Sequence, residues 1–222
     1  MRSRCLFVAL LVLALSLLLA GPAFGTTVNL TYEGHKGAGA ENGSPFVGYP
    51  YYFSINGSSK YTALICDSFD NNVSLGESWK ATALPFLQGI ATSLFGPSLT
   101  LDYKAAGLIF ESVLNGTLNR NTGQWAIWGL FSKFASSAKG LAYFNSHPIF
   151  TTTETAYLAL ASTTSNSAFN GLVLYTPLHA SPGMGPQEFI GYSPVPEPSS
   201  LLLLGTGLVG LAGALRRKFT KV

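Results

Sequence analysis

One cysteine and one glutamine in this chain have the chemistry to bond to each other. The sequence has two cysteines, Cys5 and Cys66, and Cys5 lies in an apolar N-terminal stretch that we expect to be removed. A single thiol is unusual in an exported protein, because the compartment it enters is oxidising. Cys66 is therefore buried and inert, paired between chains, or bonded to Gln124. In the last case a thiolate displaces ammonia from the glutamine carboxamide and leaves an internal thioester, an electrophile for amines and hydroxyls.

Gln124 occupies an unusual position for a polar side chain. The sequence predicts a helix from Asn121 or Thr122 to about Ala135, and Gln124 lies on its apolar stripe. The other members of that stripe are Ile127, Trp128 and Phe131. A buried primary amide needs hydrogen-bond partners. Either a helix cap at Asn121 satisfies it, or the amide is consumed in a bond to Cys66.

Three neighbours of this pair are the predicted supporting residues of the site. They are Asp67, Trp125 and Trp128. Asp67 follows the cysteine directly, where it would orient the pair or cap a turn. The two tryptophans would stack on a sugar or fill the core, and core packing suits Trp128 better.

The rest of the sequence offers little other chemistry. His35, His147 and His179 are far apart and lack Cys or carboxylate neighbours at ligand spacing, so we expect no metal site. No nucleophile-elbow motif or phosphate-binding loop occurs, and no cofactor is expected. Because no acid and base pair is evident either, we expect a protein that is not an enzyme. An exported hydrolase is kept as an alternative.

The N-terminus predicts export. A short basic start precedes a long apolar core, and the small residues Ala23 and Gly25 follow it. This is the pattern that signal peptidase recognises. We therefore predict a signal peptide at 1–25, cleaved between Gly25 and Thr26.

The C-terminus carries three features in order. Residues Pro196, Glu197 and Pro198 come first, an uncharged apolar run at 199–215 follows, and Arg216, Arg217 and Lys218 close it. Prolines cannot continue a sheet or a helix interior, so the folded body should end before them. The run is close to the lower limit of about 17 residues for a transmembrane helix. A basic cluster after such a run favours the cytoplasmic side and stops transfer.

In this order the tail resembles the PEP-CTERM sorting signal of Gram-negative bacteria. The resemblance implies an exported protein that is anchored in the inner membrane and then processed by an exosortase, a membrane protease-transpeptidase. Its destination would be the cell surface or the extracellular matrix. The predicted domains are a signal peptide at 1–25, a body at 26–194, and a sorting signal at 195–222 with a transmembrane helix at 199–215 and a basic stop at 216–218.

The charge of the body argues against nucleic-acid binding. The whole chain has a formal charge of +3, but much of its positive charge lies in the terminal segments. Between Thr26 and Pro194 there are seven Lys or Arg and nine Asp or Glu, a net charge of −2. A body without excess positive charge gives no electrostatic reason to bind nucleic acid.

Hydrophobic patterning predicts an α+β body. Alternating strand patterns come first, helical patterns occupy the middle, and strands return at the end. Predicted strands cover 27–33, 47–55, 61–69, 73–82, 171–176 and 187–192, and predicted helices cover 84–95, 103–114, 121–135, 141–144 and 152–161. We therefore expect an antiparallel β-sheet or sandwich with an inserted helical subdomain.

Two short motifs in the body resemble the thioester domains of bacterial surface adhesins. One is Ile65-Cys66-Asp67 on a predicted strand, and the other is Gln124-Trp125-Ala126-Ile127-Trp128 after a helical insert. In that family a Cys beside an acidic residue bonds to a Gln that precedes an Ala-Ile-Trp-like run. Ile65 and Gly123 depart from the residues common at their positions. The resemblance implies a binding or adhesion module that attaches covalently through Cys66 and Gln124 to a surface polysaccharide or protein. The alternative is a non-covalent structural or exopolysaccharide-associated protein without the bond.

Overall fold

The computed structural model describes residues 25–35, 43–192 and 207. Residues Gly25–Ser193 form one compact unit, and all of its strands are antiparallel to their neighbours. The strands are β1 (Thr26–Gly34), β2 (Tyr51–Ile55), β3 (Thr62–Cys66), β4 (Ser78–Pro85), β5 (Leu172–Pro177) and β6 (Phe189–Tyr192). Aromatic and β-branched residues, which suit a pleated and half-buried surface, are frequent in them.

The strands close into a barrel in the order β1-β2-β3-β6-β5-β4. Closure depends on β1, which pairs with β2 on one side and with β4 on the other. The C-terminal strand β6 fits between β3 and β5, where Cys66 is paired with Phe189. A closed barrel leaves no unpaired sheet edge.

The turn after β2 follows the local sequence. Asn56 and Gly57 both have positive φ, 53° and 74°. Asparagine and glycine tolerate this left-handed conformation better than other residues, which is why Asn-Gly is a strong turn signal. The chain then returns along β3, which ends at Cys66.

Five α-helices lie between β4 and β5. They are α1 (Phe86–Gly89), α2 (Thr100–Leu114), α3 (Arg120–Phe131), α4 (Ala138–Asn145) and α5 (Pro148–Thr163). Short 3-10 turns at Ile90–Thr92, Pro97–Leu99 and Asn166–Phe169 join them to their neighbours. Helices α2, α3 and α5 pack against one another.

Strand alternation creates two apolar cores. Successive side chains of a strand point to opposite faces. On β3, Leu64 and Cys66 pack with the aromatic residues inside the barrel, whereas Ile65 packs with the core formed by α2 and α3. Helix α3 contributes to both cores, with Trp125 and Trp128 in the first and Ala126 and Ile127 in the second. The end of β3 and the start of α3 therefore meet where the two cores adjoin.

The predicted fold class was wrong. The strands form a closed six-stranded antiparallel barrel rather than an open sheet or a sandwich. The pairing that closes the barrel joins β1 to β4, and local sequence patterns carry no information about such a contact. Among residues 25–35, 43–192 and 207, no helix is long and apolar enough to cross a bilayer. Apart from Gly207, the predicted span at 199–215 lies outside the described residues.

Candidate functional site

Cys66 is the last residue of β3, and its side chain is fully buried inside the barrel. Its Sγ lies 3.6 Å from the carbonyl oxygen of Ser68, to which the thiol donates a weak hydrogen bond. Burial raises the pKa of the thiol, and the neighbouring Asp67 raises it further, while the hydrogen bond to Ser68 opposes the change. The thiol is therefore protonated near neutral pH, and a protonated thiol is a poor nucleophile.

Gln124 reaches the same place from the first turns of α3. The helix begins at Arg120, and the side chain of Asn119 caps it by accepting hydrogen bonds from the backbone N–H groups of Asn121 and Thr122 at 2.8 and 3.2 Å. The predicted cap at Asn121 was therefore wrong by two residues. Because Asn119 already supplies the cap, Gln124 is free to point elsewhere.

The Gln124 carboxamide is fully buried and uses both of its ends. Its Nε2 donates to the carbonyl oxygen of Cys66 at 2.6 Å, and its Oε1 accepts from the backbone N–H of Tyr49 at 3.1 Å. Gly48 leaves room for it, since a Cβ at that position would lie 2.6 Å from Gln124 Cγ. The structure thus brings the two predicted residues together, with the glutamine amide on the backbone of the cysteine.

The two predicted supporting tryptophans are both core residues. Trp125 donates from Nε1 to Ser44 Oγ at 3.0 Å and stacks on Phe150 with ring planes 9° apart. Trp128 packs edge-on against Trp125 and Phe69, and its indole N–H finds no hydrogen-bond partner among the described residues. Trp128 also lines a cavity.

Asp67, the third supporting residue, belongs to a buried carboxyl pair. It and Glu188 are both fully buried. Glu188 accepts hydrogen bonds from the Tyr103 hydroxyl at 2.5 Å, from the Leu94 N–H at 2.9 Å and from the Thr176 hydroxyl. Neither Asp67 oxygen has a hydrogen-bond partner among the described residues.

The distribution of donors decides which of the two carboxyls is charged. Burial, then the charge of Glu188, raises the pKa of Asp67 well above its ordinary value. Burial also raises the pKa of Glu188, but hydrogen bonds from Thr176, Tyr103 and Leu94 oppose that rise. Asp67, which has no donors, is therefore the neutral acid, and Glu188 is the carboxylate. Two adjacent buried carboxyls share one proton because two charges cannot be accommodated there.

Sequence reasoning missed Glu188 and its donors. Glu188 stands at the start of the predicted strand 187–192, directly before the apolar residues Phe189 and Ile190. An acidic residue at the edge of an apolar run is the one available signal. It does not reveal that Tyr103 or Asp67 will be its partner, because those contacts join distant parts of the chain.

A second cluster of titratable side chains lies at the mouth of the barrel. Tyr32 of β1 and Tyr51 of β2 are nearly buried, and their rings are 5.9 Å apart. His35 packs edge-on against both, and the Tyr32 hydroxyl lies 2.9 Å from its Nδ1 and 2.8 Å from its Nε2. Burial lowers the pKa of His35, so its imidazole is neutral near pH 7. Burial raises the pKa of both tyrosines, and both pack in the same apolar core as Cys66.

This cluster lines a cavity of about 780 Å³. Aromatic side chains form much of its wall, and Tyr32, His35, Tyr51, Trp128 and Gln187 supply polar atoms. The volume falls within the range of about 300–1,000 Å³ found for ligand sites. Within the described part of the chain, no three His, Cys, Asp or Glu side chains are grouped so that they could hold a metal ion.

A third acidic position lies on α5, away from the cysteine. Glu154 is half-buried, and its Oε1 has no hydrogen-bond partner among the described residues. It lies against α3, where a Cβ at Gly129 would be only 1.8 Å from Glu154 Oε1. Burial raises the pKa of Glu154 to about 7.

The predicted sites at the two ends of the chain lie outside the described residues, apart from Gly25 and Thr26 at the start of the barrel and Gly207. Signal cleavage between Gly25 and Thr26 stays a prediction. If it occurs there, it falls immediately before β1.

Comparisons with known proteins bear on the tail of the chain. No curated protein and no solved structure matches the sequence. The predicted resemblance to thioester domains therefore has no support from them. Residues 194–218, which include Pro196, Glu197 and Pro198 and the basic cluster at 216–218, match the PEP-CTERM protein-sorting motif, and this motif marks an exported protein that an exosortase sorts to the cell surface.

Proposed function

We propose that the barrel domain is a binding module of the cell surface or extracellular matrix, attached covalently through an internal Cys66–Gln124 thioester. The observation that carries this proposal is the 2.6 Å hydrogen bond from Gln124 Nε2 to the Cys66 carbonyl oxygen. It holds the carboxamide of a fully buried glutamine beside the lone described cysteine. Intramolecular acyl transfer needs the amide to be held beside the residue that carries the thiol, and this hydrogen bond to the cysteine backbone holds it there.

The bond-forming step balances without an external reagent. Cys66 Sγ attacks Gln124 Cδ, the C–N bond breaks, and the thiol proton leaves with the nitrogen as ammonia. The Tyr49 N–H, 3.1 Å from Gln124 Oε1, is in place to stabilise the negative charge that develops on this oxygen. After the step Oε1 keeps this hydrogen bond, and the Cys66 carbonyl loses its donor.

A second candidate function is non-covalent binding by the same module. It is favoured by the protonated state of the thiol and by the hydrogen bonds that both ends of the Gln124 amide make, because both features stabilise the unreacted pair. The exported hydrolase has no comparable support. The Asp67 and Glu188 carboxyls form an acidic pair, but both are fully buried and do not reach a substrate.

The sorting motif supplies the context for either form. Signal peptidase would release the N-terminus between Gly25 and Thr26, and an exosortase would process the tail at the matched segment 194–218. The domain would then act on a polysaccharide or protein at the cell surface.

Intact mass spectrometry of the exported protein tests the covalent form. We expect a mass lower than that of the processed sequence by one ammonia. Cys66→Ala and Gln124→Ala should each restore the full sequence mass, after allowance for the substitution. If Cys66 of the denatured, amine-free protein reacts completely with a thiol reagent and the mass is full, the covalent form is wrong and the non-covalent one is left.

A further inference from the structure

The cavity at the mouth of the barrel is separate from the pair that forms the thioester. Neither Cys66 nor Gln124 is among the residues that line it. With about 780 Å³, it has room for a small ligand of its own. The residues of its wall therefore decide which kind of ligand that is.

The charge of the wall favours a cation. Glu33 of β1 is half-buried, and its carboxylate forms no ion pair with a described residue. The described residues that line the cavity include no Lys or Arg, and His35 is neutral near pH 7. A cleft lined by charge of one sign attracts a ligand of the opposite sign. A positively charged ligand would find its counter-ion in Glu33, whereas an anion would be repelled.

The aromatic part of the wall favours an organic cation over a metal ion. Tyr32 and Tyr51 lie 5.9 Å apart, and the rings of Phe46 and Phe69 meet edge-on at 5.2 Å. The face of an aromatic ring carries partial negative charge and attracts an ammonium group within about 6 Å. A metal ion would instead need several oxygen ligands. Aromatic rings also cover the apolar body of an organic ligand.

Uncharged polar side chains complete the wall and favour a ligand with hydroxyl groups. They are Asn72, Ser136, Ser137 and Gln187. Amides and hydroxyls both donate and accept hydrogen bonds, so they pair well with hydroxyls. The side chain of a lysine would bring an ammonium group on an apolar stem and no hydroxyl. A sugar ring with a free amine brings an ammonium group and several hydroxyls.

We propose that this cavity binds a protonated amino sugar, with its ammonium group beside the Glu33 carboxylate and its ring against the aromatic wall. No covalent bond forms or breaks in this step. The inference rests on the proposed function only in taking the domain as a binding module, and it applies to the covalent and the non-covalent form alike. It narrows the ligand at the cell surface to a polysaccharide whose amino groups are not acetylated.

Binding is measured by calorimetry with the exported Cys66→Ala protein, in which an amine has no thioester to react with. Gln124→Ala serves the same purpose if Cys66→Ala does not fold. The probes are glucosamine, N-acetylglucosamine and methyl glucoside, and at pH 7 only the first carries a protonated amine. Glucosamine should bind at least tenfold more tightly than the two neutral sugars. This difference should decrease as salt is added, because salt screens the attraction to Glu33.

A charge-removing substitution tests the role of Glu33. Glu33→Gln keeps the size of the side chain and should weaken glucosamine binding at least tenfold, while binding of N-acetylglucosamine stays the same. Glu111→Gln is the matched control, because it removes the same charge on α2, outside the cavity. It should leave the affinity for both sugars unchanged. Circular dichroism and thermal unfolding show whether each variant is folded.

Several outcomes would overturn this inference. Equal binding of glucosamine and N-acetylglucosamine would do so, as would glucosamine binding that Glu33→Gln leaves unaltered. Tighter binding of acetyl-lysine amide, a probe with a free side-chain amine, would assign the cavity to a protein ligand instead.

The test of the thioester is independent of these measurements. A protein that lacks one ammonia and whose Cys66→Ala variant binds no glucosamine would retain the thioester and refute this inference. A full-mass protein that binds glucosamine through Glu33 would refute the thioester and support the amino-sugar site.

Discussion

Buried acidic groups occur at two places in this protein, and their surroundings differ. At the end of β3, Glu188 accepts three hydrogen bonds and lies against the neutral Asp67. On α5, Glu154 lies over Gly129 with one oxygen unpartnered among the described residues. Burial raises the pKa at both places, but donors are supplied only at the first. The first pair is therefore a fixed part of the fold, and Glu154 is a group that responds to pH.

The largest expected effect comes from removing the charged member of the fixed pair. Glu188→Ala leaves the hydroxyls of Tyr103 and Thr176 and the N–H of Leu94 without their acceptor. Breaking a buried charged network of this kind costs about 3–5 kcal/mol of unfolding free energy. Urea denaturation at pH 7 measures it.

Asp67→Asn is the matched control for that substitution. An asparagine is uncharged, as the protonated aspartic acid is, and has nearly the same shape, so stability at pH 7 should be retained. A large loss of stability in Asp67→Asn would mean that Asp67 is charged rather than neutral in the folded protein.

The stability of Asp67→Asn should also depend on pH differently from that of the unsubstituted protein. Because the pKa of Asp67 is raised on folding, its contribution to stability is complete below the ordinary carboxyl pKa of about 3.9 and falls as the pH rises toward the folded pKa. Asp67→Asn carries no titrating proton. We therefore expect the variant to gain stability relative to the unsubstituted protein as the pH increases across this window.

The sequence identified one half of this site and missed the other half for a physical reason. Cys66 and Gln124 could be found because each has an unusual residue type for its position, a lone thiol in an exported chain and an amide on an apolar stripe. The Glu188 network could not be found in this way, because its members are ordinary residue types for their positions. They meet only when β6 inserts between β3 and β5. The position of Gln124 was predicted, but its partners were not, since Tyr49 lies on a distant loop.

For the fold, too, local sequence predicted the elements but not the contacts between distant parts of the chain. Local alternation and turn chemistry predicted all six strands, including the Asn56-Gly57 turn with its positive φ values. Closure into a barrel was missed because it depends on β1 pairing with β4 as well as with β2. Every strand in a sandwich and in a barrel can show the same alternation, so the pattern does not separate them.

An intermediate effect is expected at Gly48, which tests how tightly Gln124 is held beside Cys66. In Gly48→Ala the added Cβ would lie 2.6 Å from Gln124 Cγ and 3.0 Å from Gln124 Cβ. Overpacking of this kind costs about 1–3 kcal/mol, and displacement of the amide should also reduce the fraction of protein that lacks one ammonia.

A double-mutant cycle separates that contact from other effects of the alanine. In a Gln124→Ala background the Cγ contact at 2.6 Å is gone and the 3.0 Å contact with Cβ is left, so Gly48→Ala should cost much less stability in urea denaturation than it does with Gln124 present. An equal loss of stability in both backgrounds would show that the methyl group disturbs the backbone and not the glutamine.

The smallest expected effect is at Glu154, and it concerns pH dependence more than stability at one pH. The raised pKa of about 7 means that its contribution is complete below the ordinary glutamate pKa and is lost as the pH rises through 7. Glu154→Gln should remove this dependence of stability on pH and change stability by no more than about 1 kcal/mol, since the group is partly exposed.

Gly129→Ala should act differently. Its Cβ would displace the Glu154 carboxylate toward water, which should abolish the slope of stability against pH while the carboxyl group is kept. If thermal unfolding from pH 5 to 8 shows the same slope in Gly129→Ala as in the unsubstituted protein, then the contact with α3 is not what raises the pKa of Glu154.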